Sequence, residues 1–407
     1  MRFCMVTTFY PPYSYGGDAT YVRALARELV KRGHEVEVIA NTDAYRLRGP
    51  EPAKNDPADD GVLVHRLRTR SGFLAPLLVQ QTGRPMIYRA ELHRLMSRDF
   101  DVIHFHNVSL IGGPGVLSLG KAKLRLYTTH EHWLVCPTHV FWKNRSKACD
   151  GKTCFSCSLR SGIPPQLWRY SGYVRQKLEP IDLLLSPSEF TAARHRDAGI
   201  DTPIRILPLF SNIMPGTGRA TKVDPATFLF CGRITASKGV EQLLQAATRN
   251  RGIIVKIVGE GDEENKLKTR YASHSNIQFL GRVEQDGLKH HYASATALVL
   301  PSIAPETFGL TVVEAAEFGT PAIVSSGSGG AADIVGQSGG GFVYKDLTGL
   351  DAALRSLASD PSLREVMGRR AEAAYKNLYT ADNHLLCYLD LVNVGIEENA
   401  ADRRLAS

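Results

Sequence analysis

Short apolar runs alternate with amphipathic helical stretches along nearly the whole chain, in two separate series, and this alternation constrains the fold most. Strands that return through a helix each time pair in parallel, so each series defines an open α/β sheet whose ligand sites lie at the carboxyl ends of the strands. In the first series the strands are expected at Arg2–Thr7, Glu35–Ala40, Val62–Leu67, Val102–His104, Leu124–Thr128, Leu183–Ser186 and Ile204–Leu207. The second restarts at Thr227–Cys231 and continues through Ile253–Val258, Ile277–Leu280, Ala297–Leu300, Ala322–Ser325 and Gly341–Val343. Between them, Ser211 to Pro225 is rich in Gly, Pro, Ser, Thr and Asn, as a hinge would be. With 407 residues, about two domains are expected. The predicted organisation is 1–212, carrying a Cys-rich insertion at about 133–177, then 213–380, then a terminal helical stretch 381–407.

Composition is that of a globular protein, 43% hydrophobic and 22% charged, and no apolar run approaches the roughly 20 residues that span a bilayer. The first strand has no signal-peptide pattern, which places the chain in the cytoplasm and its seven cysteines among reduced thiols or metal ligands rather than disulfides. Charge is unevenly spread: residues 1–220 hold 30 Lys and Arg against 19 Asp and Glu, the remainder 19 against 22. A basic first half suits an anionic partner or membrane surface, and equally a merely solvated one.

The densest candidate chemistry lies at Pro305–Ala315. A strand leads into Glu306, and a helix is expected from Gly309 to Phe318, closed by Gly319. Its free amides at Phe308, Gly309 and Leu310 can receive a diphosphate, while Glu306 before the helix and Glu314 one turn in can accept hydroxyl hydrogen bonds. Upstream, Gly232-Arg233 and Lys238-Gly239 end the first strand of the second series, where a guanidinium fork and an ammonium point charge can clamp a diphosphate. Gly259-Glu260-Gly261 and Gly281-Arg282-Val283 end the next two strands in glycine and leave room for a ligand, the latter offering main-chain groups to a nucleobase. Ser325–Asp333 is a further glycine-rich loop at that edge.

The first half contributes Gly16-Gly17 ahead of a helix that Asp18 is expected to cap, with Val22, Leu25, Ala26, Leu29 and Val30 on its apolar face and Gly33 as its stop. His130 follows a strand and can hydrogen-bond a sugar or serve as a structural histidine; His104 and His106 are weaker candidates of the same kind. Cys136, Cys149, Cys154 and Cys157 can ligate zinc in a closed structural tetrahedron or remain free thiols. Around them Lys and Arg interleave with Trp133, Phe141, Trp142, Phe155, Trp168, Tyr170 and Tyr173, a composition that fits a membrane-facing or acceptor-facing surface or an insertion with its own small core. The Pro/Asp-rich stretch Ala44–Gly61 is expected as a loop.

Taken in order, Gly16-Gly17, Thr129-His130, Gly232-Arg233, Lys238-Gly239, Gly259-Glu260-Gly261, Gly281 and Glu306 to Glu314 resemble the family 4 retaining glycosyltransferases of the GT-B fold over nearly the entire chain. The resemblance implies two Rossmann-like domains facing across a cleft, with the last helix crossing back to the first domain after a bend at Tyr379–Asn383. It implies that Glu306 contacts donor-sugar hydroxyls, Glu314 holds a ribose, Arg233 and Lys238 neutralise a leaving diphosphate, and His130 sits by the transferred sugar. The donor would be a UDP- or GDP-sugar and the acceptor a hydroxyl compound, with no metal needed for departure and no nucleic acid as partner. Peripheral contact with the inner face of a membrane fits the same picture. One departure is Phe210-Ser211-Asn212-Ile213, where the family often has an Asn-Gly pair. A nucleotide-sugar epimerase or hydrolase on the same scaffold is the rival reading, and a zinc-containing nucleic-acid-binding protein a more distant one. A dinucleotide dehydrogenase is disfavoured, since the first strand-helix turn lacks G-x-G-x-x-G.

Overall fold

In the computed structural model, residues 1–47, 59, 61–151, 153–211 and 225–405 are described. Both series form parallel sheets. The first comprises β1 (Arg2–Val6), β2 (Glu35–Asn41), β3 (Val62–Leu67), β4 (Phe100–Phe105) and β5 (Ala122–Thr128). A two-stranded antiparallel hairpin, β6 (Trp142–Lys143) and β7 (Lys147–Ala148), interrupts it before β8 (Leu183–Ser186) and β9 (Ile204–Ile206) complete the sheet. Its order is β3-β2-β1-β4-β5-β8-β9. The second sheet holds β10 (Thr227–Cys231), β11 (Ile254–Val258), β12 (Ile277–Gly281), β13 (Ala297–Leu300), β14 (Ala322–Ser325) and β15 (Gly341–Tyr344), in the order β12-β11-β10-β13-β14-β15. Each sheet reverses its winding beside its first strand, where loops part and a crevice opens.

Period-two alternation explains why both sheets are buried on two faces. In β1, Phe3 and Met5 enter one apolar cluster while Cys4 and Val6 enter another on the opposite face. In β10, Leu229 and Cys231 face the first of these clusters and Phe228 and Phe230 a third. The first cluster joins Tyr21 and Leu25 to Phe308, Val312 and Val313 of the other half, and to Leu385, Tyr388 and Val392 of the terminal helix Ala381–Leu405. One core therefore ties the two sheets and the C-terminal segment together.

That helix lies against the first sheet, and a simple terminal helix on the second sheet is excluded. Asn399 Nδ2 donates to the Lys123 carbonyl (2.9 Å), and a Cβ on Gly395 would stand 2.7 Å from Leu124 Cδ1. The bend falls at Thr380, whose extended backbone (φ −78°, ψ 154°) separates the helix from the π-helical turn Tyr375–Tyr379.

Two expectations are corrected. Gly16, not Asp18, is the N-cap of the helix Gly17–Lys31, so Asp18 lies in the first turn and its carboxylate accepts from Asn107 Nδ2 (3.2 Å). The stretch expected as a loop from Ala44 begins inside a short helix, Thr42–Arg46, capped by the Asn41 side chain; its residues 48–58 and 60, and the hinge residues 212–224, lie outside the described residues. Of the two readings of the aromatic stretch, Trp133 and Trp168 follow the insertion with its own small core: both are buried, with the Arg169 guanidinium packed against them, 5.1 and 4.5 Å from their ring centres.

Candidate active site

The loops after β10, β11 and β12 are stitched edge to edge by their glycines. Gly232 N donates to the Val258 carbonyl (3.0 Å) and Gly259 N to the Gly281 carbonyl (2.8 Å). A Cβ on Gly259 would lie 1.9 Å from the Gly232 oxygen, and φ there is +129°. Only glycine allows that approach. Arg233, exposed and without an ion pair among the described residues, leaves from this edge, and Arg282 is likewise exposed next to the half-buried Val283.

Lys238 follows on the turn Ala236–Lys238, ahead of the helix Val240–Arg249. Gly239 (φ +64°) lets this turn rest under β13's exit: a Cβ there would meet the Pro301 oxygen at 2.0 Å. Ile303 N and Ala304 N both donate to the Ser237 carbonyl (2.9 and 3.0 Å). The result brings Lys238 Nζ between the two carboxylate oxygens of Glu306, 2.6 and 2.7 Å away, while Ser302 Oγ donates to the same carboxylate (2.5 Å). Glu306 also pairs in parallel register with Gly329 of the glycine-rich loop.

The helix after Glu306 runs Leu310–Glu317, with Gly309 as N-cap at φ +109°. Glu314 lies one turn in, as expected, and its Oε2 accepts from the Tyr292 hydroxyl (2.6 Å). Removal from water, with Glu317 nearby, pushes its carboxyl up to about 7 despite that bond. Tyr292, from the helix Gln285–Ser294, was not among the expected site residues. A single tyrosine in a helix carries no signal of what it faces.

The first half meets this surface directly. A Cβ on Gly17 would stand 3.5 Å from Leu310 Cδ2. Thr307 Oγ1 donates to the His130 carbonyl (2.9 Å), and the Thr307 carbonyl accepts from Ser188 Oγ (2.6 Å) and Thr191 Oγ1 (2.9 Å). Phe190 N donates to Asp333 Oδ2 (3.1 Å). Thus Gly16-Gly17, His130, Lys238 and Glu306 to Leu310 lie around one cleft, with Glu314 behind its helical wall.

His130 belongs to a buried polar chain. Its Nε2 shares a hydrogen bond with His106 Nδ1 (2.9 Å); His104, its ring tilted against that of His106 with centroids 4.0 Å apart, bonds to Thr128 Oγ1 (2.7 Å) and the Tyr388 hydroxyl (2.9 Å). Burial lowers His130 to about 4 and drives His104 and His106 well down, so all three rings are neutral near pH 7; Asp18 pulls His130 the other way. His130 Nδ1 and His106 Nε2 are buried without partners.

The zinc tetrahedron expected at Cys136, Cys149, Cys154 and Cys157 is not preformed. The four thiols line one small pocket, none in a disulfide, yet among the described residues no three His, Cys, Asp or Glu side chains are grouped as ligands. The sulfurs have turned to other partners: Cys136 to Thr138 Oγ1 (3.2 Å), Cys149 to the Gly151 carbonyl (3.5 Å) and Cys157 to the Asn144 amide (3.3 Å).

Two Rossmann-like sheets, with a helix returning from the second to the first, define the GT-B fold. Residues 15–211 match the family model "Glycosyltransferase Family 4" and residues 218–374 match "Glycosyl transferases group 1". The chain belongs to the family 4 glycosyltransferases. It is 28% identical to a glycogen synthase of Mycobacterium tuberculosis over 93% of this chain and 90% of that one. Among solved structures it resembles a sucrose-phosphate synthase from Thermosynechococcus elongatus (TM-score 0.75, 20% identity, 96% and 98% of the two chains). It also resembles HepE of Anabaena, solved in complex with UDP-glucose (TM-score 0.64, 14% identity, 99% and 100%).

Proposed function

We propose that this glycosyltransferase moves a hexose from a UDP- or GDP-sugar to a hydroxyl acceptor with retention and without a divalent metal. The observation that carries the reading is the Lys238–Glu306 pair ahead of a helix N-terminus, with His130 held beside it by the bond from Thr307 to the His130 carbonyl. Arg233 and Lys238 would offset the diphosphate charge that grows as the glycosidic bond to phosphate breaks, with the Phe308, Gly309 and Leu310 amides beneath it. Glu306 exchanges Lys238 and Ser302 for sugar hydroxyls, Glu314 takes the ribose, and the Gly281 to Val283 edge takes the base. His130 Nδ1, lacking a partner in the protein, is the group left to meet the transferred sugar. In retention the acceptor oxygen bonds C1 on the face the diphosphate leaves, and its proton passes to the departing phosphate oxygen. The UDP-glucose complex of the Anabaena protein supports a nucleotide-sugar donor.

The acceptor side belongs to the basic first half. Phe73, Leu74, Ile87, Leu167 and Tyr170 are exposed there, which favours a cytoplasmic protein resting on an anionic membrane surface and a lipid-linked or saccharide acceptor. None of the helices among the described residues is long and apolar enough to cross a bilayer.

A panel of sugar nucleotides screened by thermal shift, followed by proton NMR of the product formed with chelator present, tests the reading. One donor should raise Tm, and the product should keep the donor's anomeric configuration at an unchanged rate. An inverted product, or turnover that requires magnesium or manganese, would sink it. Sugar release or epimerisation without acceptor at the full rate would favour the rival enzyme class.

A further inference from the structure

The cysteine pocket has features that thiols alone do not explain. Cys154 and Cys157 stand three apart on the helix Cys154–Arg160 and so share one face; Cys136 comes from the turn after His132–Leu134, and Cys149 from the residue following β7. All four line the same pocket, walled by Phe141 and Trp142. The connecting strap keeps its amides turned inward at some conformational expense, since His139, Phe141, Asn144 and Arg145 all have positive φ, from 50° to 70°. One consequence is the Asn144 amide donating to Cys157 Sγ at 3.3 Å, and the Thr138 and Phe141 amides are placed to do the same for Cys136.

The second observation is Arg169. Its guanidinium is buried against both Trp133 and Trp168, donates to the Trp133 carbonyl (2.7 Å) and Gln166, and leaves Nη2 buried without a partner. The acidic groups facing it are Cys136, Cys154, Glu131 and Tyr127, and Glu131 is already bound to His139 (2.8 Å). A buried cation with an orphaned donor is an unbalanced arrangement. Amides turned toward sulfur, with a buried cation on the same insertion, suit an anionic sulfur cluster.

We propose that Cys136, Cys149, Cys154 and Cys157 bind one zinc ion as a closed structural site. Four thiols release four protons, four Zn–S bonds form, and the resulting centre carries a charge of about −2 that Arg169 and the strap amides offset. The thiols reach the ion by side-chain rotation away from Thr138, Gly151 and Ser161, with the backbone strap already in place. Because Glu131 holds His139 of this strap, the metal also steadies the strand end that carries His130.

The test reads metal, not turnover, and so stands apart from the proposed transfer reaction. The full chain, purified reduced and without chelator, should contain about one zinc per chain by mass spectrometry of the metal. A mercurial should release that zinc into a chromogenic indicator. Cys154→Ser/Cys157→Ser should hold less than a tenth as much, while Cys387→Ser, at an exposed cysteine outside the pocket, should keep it all. Should the double variant fail to fold, the wild type unfolded with chelator and refolded with or without zinc gives the answer, since only the zinc-refolded sample should recover its metal and its original Tm. Wild type that stays metal-free after refolding in zinc overturns the site. So do iron in place of zinc and a double variant with undiminished zinc.

Discussion

Glu314 occupies an environment that works against its own charge, and this gives it a pH signature. Its carboxyl titrates at about 7 in the folded protein against an ordinary 4.5, chiefly because burial disfavours the anion. Below the ordinary value both folded and unfolded chains hold the proton. As pH rises toward 7 the unfolded chain loses it while the folded one keeps it, so stability falls across that window and then levels off. In Glu314→Gln this contribution is absent. The Tm of the wild type relative to the variant should therefore decline between pH 4.5 and 7, as scanning calorimetry at a series of pH values would show, and a pH-independent difference would remove the assignment. His106 offers a second residue-scale prediction. Its bond to His130 fixes which imidazole nitrogen of His130 remains free, so His106→Ala should lower kcat roughly 10-fold with little change in donor KM, and His106→Asn should recover part of the loss. An unaltered kcat in a folded variant would make the histidine chain purely structural. Arg233→Ala with Lys238→Ala should cost roughly 10²–10³-fold in turnover, measured under saturating donor, since in the proposed reaction both offset charge on the leaving group. The positions of these residues were unequally legible. Glu306, Lys238 and His130 lie at strand ends in recognisable order, whereas Tyr292, His106's bond and Ser188 depend on tertiary approach that no local pattern encodes.

At the scale of elements, the strand-ending glycines matter because neighbouring loops occupy the space a side chain would need. Gly259 shows this best, with the Gly232 carbonyl at contact distance and φ in the left-handed half of the map. Gly259→Ala should cost roughly 3 kcal/mol or more, from strain and overpacking together, and should also weaken nucleotide binding by displacing the Gly232-Arg233 edge. Urea unfolding and isothermal titration on the same preparation would measure both, and an alanine tolerated within 0.5 kcal/mol would show that the loops are free to part. The strands themselves were readable to within a residue or two, because doubly buried parallel strands are short apolar runs with few alternatives. Capping was less readable. Asp18 follows a glycine pair in the order expected of an N-cap, but the extended residue at the helix start is Gly16, which frees the Asp18 carboxylate to face Asn107 within the cleft. The aromatic insertion was left open between a surface and a small core for a related reason: composition records that Trp133 and Trp168 lie near basic residues, whereas only the packing shows both rings buried with Arg169 against them.

Across the whole molecule, the terminal helix makes the first sheet depend on the far end of the chain. Tyr388 donates or accepts at His104 across 284 residues, Tyr21 meets His384 at 2.7 Å, and Arg32 pairs with Asp382. His104 in turn bonds to Thr128 and packs against His106, so the helix supports the same polar chain that holds His130. Tyr388→Phe keeps the ring and removes only the hydroxyl, leaving His104 Nδ1 buried without a partner, which should cost about 1–3 kcal/mol. The loss should fall where the hydroxyl acts. Amide hydrogen exchange is expected to quicken in β1, β4 and β5, strands remote in sequence from residue 388, while β10 to β14 keep their protection. Equal acceleration in both sheets would mean that the two halves unfold as one unit through their shared core, and the helix would then be a general clamp rather than a support for the histidine chain.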